Sequence, residues 1–88
     1  MARHRGIGFL AAYRNMAFIR FVVTGADSMV REYCGHTGVQ YPEDPLVAAA
    51  GVYKAIQYCN GIPDSIKAQA RQKCLALGFS PYMEEYDD

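Results

Sequence analysis

The side chains with the most chemistry to offer are three cysteines, Cys34, Cys59 and Cys74, and two histidines, His4 and His36. Cys34-Gly35-His36 sets a thiol and an imidazole two positions apart, which is how half of a metal site can look. Structural zinc takes four such ligands, commonly as two close pairs. Cys59, Cys74 and His4 make no second pair, so the expectation is no metal and three thiols that are buried or half-buried. A tight turn near residue 61 would set Cys59 and Cys74 at different levels of a helix pair, with Cα atoms farther apart than the ~7 Å a disulfide allows. A bridge from Cys34 to either one is left open by that argument. An odd cysteine count cannot complete an intrachain disulfide framework, and no secretory leader pattern is seen, so a reducing compartment is expected, or one with at most a single bridge.

Nucleophilic catalysis needs a nucleophile, a base and a group that orients the base. Asp27, Ser28 and His36 are the one local set, and on a single helix Ser28 and His36 lie too far apart to cooperate. Glu84-Glu85 and Asp87-Asp88 are paired acids on a tail with no rigid element beneath them, poor footing for acid–base work. Gly6-Ile7-Gly8-Phe9-Leu10-Ala11 matches a dinucleotide-binding pattern. That pattern works only between a strand and a helix, and five residues before Gly6 are too few for a βαβ unit. The expectation is therefore no catalytic residue and no bound cofactor.

Charge is distributed more tellingly than its total. The 88 residues carry nine bases and nine acids, a net charge of zero. Residues 1–26 hold Arg3, Arg5, Arg14 and Arg20 and no acid, so the front is +4 and the remainder −4. Nucleic-acid binders show a stronger basic excess, and the neutral total argues against one, though not against a short basic arm. An Arg-rich, acid-free, roughly amphipathic front is also the composition of a mitochondrial targeting segment. Hydrophobic residues make up 51% and charged residues 20%, a composition that excludes disorder for most of the chain and leaves little polar surface to cover a monomer.

These residues must be held by helices. After a basic arm at 1–6, the stretch from Ile7 to Val23 is apolar on almost every side, as in a helix buried all round or lying at a membrane. Arg14 near its centre costs about 3 kcal/mol on an insertion scale, and Arg20 and Asn15 add to that, which argues against an autonomous membrane span. Thr24-Gly25 interrupts the helix, Ala26 to Cys34 continues it, and Gly35 is the expected left-handed stop before a 35–43 loop. Asp44 is an N-cap and Pro45 sits at the first helical position, where its missing N–H costs nothing. Leu46, Ala49, Val52, Tyr53, Ile56 and Cys59 recur at helical spacing until Asn60-Gly61 ends the run. Pro63-Asp64 opens a second helix with Ile66, Ala70, Cys74 and Leu77 inside, closed by Gly78. So short a connection makes the two helices antiparallel.

The fold expected is thus all-α: an antiparallel helical hairpin of about 44–59 and 63–77, one or two N-terminal helices over 7–34, and an extended acidic tail at 79–88, in one domain. A domain this small buries only about 60–65% of the surface its unfolded chain exposes, so docking on a partner would supply what the core lacks. The function expected is a non-enzymatic accessory subunit of a large assembly, of the mitochondrial inner-membrane respiratory-chain or ATP-synthase type, packing against other protein subunits. The alternative is a small ribosomal or other nucleic-acid-contacting accessory protein using the basic arm. Partner contacts are expected at Arg3, Arg5, Phe9, Tyr13 and Arg14, with lipid headgroups a further contact for this segment. Gly51 and Ala55 on a small-residue flank should admit another helix, and Tyr82 and Tyr86 are aromatic anchors of the tail.

Overall fold

The computed structural model describes residues 8–83 and contains four helices and no strand among them. They are α1 (Phe9–Thr24), α2 (Ser28–Thr37), α3 (Pro45–Ile56) and α4 (Asp64–Ala76). The all-α expectation holds. The helices form two units that divide after Tyr41, α1 packing on α2 and α3 on α4.

In the first unit the break between helices falls where Thr24-Gly25 sits. Gly25 adopts φ +81°, a left-handed cap that other residues enter at a cost, and its N–H donates to Phe21 O. Thr24 Oγ1 donates back to Arg20 O and accepts from the Ala26 N–H, closing the corner. The expected stop at Gly35 is corrected. α2 runs through Gly35 and ends at Thr37, with Gly38 at φ +79° as the cap and its N–H bonded to Cys34 O. Thr37 Oγ1 also donates to Tyr33 O, so the extra turn has hydrogen-bonding support that a glycine at 35 does not override.

In the second unit the start of α3 and both ends of α4 are where the sequence sets them. But α3 stops at Ile56 with Gln57 as its cap, short of the expected end at Asn60-Gly61, because the N–H groups of Gln57, Tyr58 and Cys59 bond three residues back in tighter turns. Asp44 accepts from the Leu46 N–H at 2.9 Å and Pro45 begins α3. Val52, Tyr53, Ile56 and Cys59 are buried, and Ala70 and Cys74 face them from α4 with no exposure. Of the other residues expected on the inner faces, Leu46 is 54% exposed in the first turn, and Ala49, Ile66 and Leu77 are half-buried. α4 closes with a Schellman arrangement, the Phe79 N–H reaching Cys74 O and the Gly78 N–H reaching Leu75 O.

The described part of the tail, residues 79–83, is non-helical, as expected, and lies along α3. Lys54 Nζ lies 5.9 Å from the Phe79 ring centroid, and the Met83 N–H donates to the Tyr58 hydroxyl. Residue numbers rise together along α3 and the tail, so 79–83 turn back and run in the direction of α3. Pro81 is buried in that return, and Cys74 Sγ donates to Ser80 O.

Candidate interaction surfaces

The physical question on α1 is which of its apolar sides is satisfied. Successive residues turn by about 100°. Ala17, Phe18, Phe21 and Val22 cluster on one side and are buried. Phe9, Ala12, Met16, Ile19 and Val23 cluster on the opposite side. There Phe9 is 85%, Met16 62% and Val23 58% exposed, Ala12 is exposed and Ile19 is half-buried. The helix that reads as apolar all round is therefore two apolar stripes, one covered and one open. Met16, Ile19, Arg20, Val23, Thr24 and Met29 line a shallow, mostly apolar groove of about 360 Å³ along the open one.

The remaining flank of the first unit is polar and already committed. The Tyr13 hydroxyl donates to Glu32 at 2.8 Å, and its ring meets Tyr33 and His36 edge-on. The hydrogen bond to Glu32, then burial, push the Tyr13 phenol above its ordinary range. Arg14 donates from Nε and a terminal nitrogen to the Asn15 side-chain oxygen, and Asn15 is buried. Asp27 sits at the N-cap of α2 without capping it. Its Oδ2 accepts instead from Arg31 Nε and from the Tyr41 hydroxyl, both at 3.0 Å, while the Arg31 guanidinium lies 4.4 Å from the centre of the Tyr41 ring. Arg31 and then Tyr41 hold the Asp27 carboxyl below its usual range. Burial, with help from Asp27, pushes the Tyr41 phenol up to about 12.

The second unit also has an open side. Val47, Gly51 and Lys54 follow one another down α3 at spacings of four and three, and Tyr58 comes four residues later, in the turn just past its end. Val47 is 45% and Tyr58 58% exposed, and Tyr82 and Met83 of the returning tail are about half exposed. Gly51 is exposed, and a Cβ built on it would meet nothing within 4 Å. No part of the described chain approaches it closely, so the close packing expected there is not made by the described residues.

These surfaces place the predicted contact residues unevenly. Phe9 and Tyr82 are exposed and open. Tyr13 and Arg14 are engaged within the chain, and Ala55 is half-buried. Arg3, Arg5 and Tyr86 lie outside the described residues. Met16, Ile19, Arg20 and Val23 belong to the open stripe and were not among the expected contacts; counting every third and fourth position separately from Phe18, Phe21 and Val22 finds them.

Catalytic and metal chemistry find no assembled site among the described residues. Ser28 and His36 are eight positions apart on α2, about 12 Å along its axis, and Asp27 is taken by Arg31 and Tyr41. No group of three or more His, Cys, Asp or Glu side chains could hold a metal ion. All three cysteines are free thiols, and burial pushes Cys34 and Cys74 above the ordinary thiol range, away from nucleophilic reactivity. No helix among the described residues is long and apolar enough to cross a membrane. No protein-family model matches the chain, and neither a curated protein nor a solved structure does.

Proposed function

We propose that this chain is a non-enzymatic accessory subunit that packs against, and bridges, other proteins of a larger assembly. One observation carries the reading: α1 covers one apolar stripe with its own chain and leaves the opposite stripe, Phe9 to Val23, open. An open apolar strip about 20 Å long costs free energy in water unless a partner covers it, and contiguous apolar surface of this kind marks interaction sites. The open side of α3 and the turn after it, with Val47 and Tyr58 on either side of an unfilled Gly51, supplies a second contact surface, which is what a bridging subunit needs.

The finer form of the proposal sets that assembly at the mitochondrial inner membrane, of the respiratory-chain or ATP-synthase type. Its support is the acid-free, Arg-bearing front of residues 1–26 joined to an apolar helix. A phosphate-binding role has weaker footing, because Arg14 is turned onto Asn15 and Arg31 onto Asp27 and Tyr41.

Sizing the tagged chain in a gentle native extract tests the proposal. It should sediment in a particle many times heavier than its own 9.8 kDa, with other proteins in fixed ratio. A chain that sediments alone at its own mass refutes it.

A further inference from the structure

The open stripe of α1 has a spacing that narrows what can cover it. Phe9, Ala12, Met16, Ile19 and Val23 are separated by three, four, three and four residues. Alternating threes and fours give a period of 3.5, the a/d seam of a left-handed coiled coil, sustained here for two heptads. In that register Arg20 occupies an e position, beside the seam, where charged side chains pair with the facing helix. Asn15 and Val22, the g positions on the other flank, are buried, so Arg20 is the one charged edge this seam presents. The single ion pair among the described residues joins Arg31 to Asp27, and no described acid meets the Arg20 guanidinium, which is exposed.

We propose that the outer stripe of α1 is half of a two-helix coiled coil, completed by a helix of a different protein. That helix is apolar along its own seam and carries a carboxylate opposite Arg20. The proposal rests on the accessory-subunit reading and names the partner chemistry of its first surface. Charge decides against the open helix sides of a second copy, because residues 1–26 and 45–58 contain no acid, so α1 or α3 of a copy brings only arginine or lysine to Arg20. Spacing decides against a lipid surface, which selects a broad apolar face rather than a 3.5-residue seam. A lone cation adds only about 1 kcal/mol of attraction to an anionic leaflet. Two heptads are short for an autonomous coiled coil, but α1 is already ordered by packing on α2, so little of the ordering cost falls on binding.

The test uses the full chain in its native assembly, with a photoreactive benzophenone side chain introduced at position 16 or 23. The expected adduct maps to one segment of another protein that has apolar residues three and four apart and an Asp or Glu beside them. Arg20→Glu should lower the adduct yield about tenfold, and reversing the partner's acid to Lys should restore it. Arg20 is exposed, so helix content of the variant should match the parent by circular dichroism. Adducts to a second copy of the chain or to lipid overturn the proposal. So does binding of the chain to phosphatidylcholine–phosphatidylserine vesicles that Arg20→Glu abolishes. A chain that still sediments in its large particle, with adduct yield unmoved by Arg20→Glu, also overturns it while leaving the accessory reading standing. A chain that sediments alone removes both.

Discussion

Val22 and Val23 are adjacent, identical in type and on the same helix, yet one is fully buried and the other 58% exposed. Replacing each by Ala changes helix propensity equally, a gain of about 0.6 kcal/mol in both cases, so the difference between the two variants isolates burial. At Val22 the change removes two buried methyl-sized groups at about 0.8 kcal/mol each, and a residual cavity adds up to about 1 kcal/mol. After the propensity gain, Val22→Ala should destabilise by about 2 kcal/mol. At Val23 less than half of the transfer term is at stake, and the propensity gain offsets it to within about 0.3 kcal/mol of zero. Urea unfolding of the dilute chain, followed by circular dichroism, should therefore show a midpoint lowered by about 1–2 M for Val22→Ala and nearly unmoved for Val23→Ala. Hydrogen exchange of the α1 amides gives an independent readout of the same difference. Equal losses, or a larger loss at Val23, would mean that α1 is rotated from the orientation described, and the open stripe would go with it.

Other outcomes follow from single features. Ile56 has no exposed surface, and Ile56→Ala should cost about 2–5 kcal/mol in the same unfolding assay, the largest effect expected within the hairpin. Asp44→Ala removes the bond to the Leu46 N–H and should cost about 1 kcal/mol, read as a lower melting temperature with faster exchange at the start of α3. The Asp27–Arg31–Tyr41 cluster predicts two pH limbs. The Asp27 carboxyl lies below its unfolded value, so its contribution is present above about pH 4 and lost as pH falls through the folded value. The Tyr41 phenol, pushed up to about 12, favours folding below its unfolded pKa of about 10 and loses that contribution as pH rises towards 12. Melting curves across pH should show the acid limb flattened by Asp27→Asn and the alkaline limb flattened by Tyr41→Phe.

Local signals with a strict stereochemical reading were legible in the sequence. Asp44-Pro45, Pro63-Asp64 and Gly78 each specify a backbone state directly, and the hairpin followed from them. Gly35 misled because glycine permits a left-handed stop without requiring one, and Gly38 three residues later took the role once Thr37 had bonded back to Tyr33. The return of the tail depends on Phe79 meeting Lys54 and Met83 meeting Tyr58, contacts of long sequence separation that no local pattern encodes. The interaction surface was half legible. A helix apolar on every side announced a need for cover, but only the structure assigns Phe18, Phe21 and Val22 to the chain's own core and leaves Met16, Ile19 and Val23 outside it.

If the open apolar stripes are contact surfaces in a working assembly, they are shielded there and bare in the isolated chain. Carbene footprinting of the chain, isolated and within its native particle, reads that difference. Labelling at Phe9, Met16, Val23 and Tyr58 should fall several-fold in the particle, while Ser28 and Gln72, exposed and polar, should keep theirs. Equal labelling of the apolar stripes in both states would contradict the account.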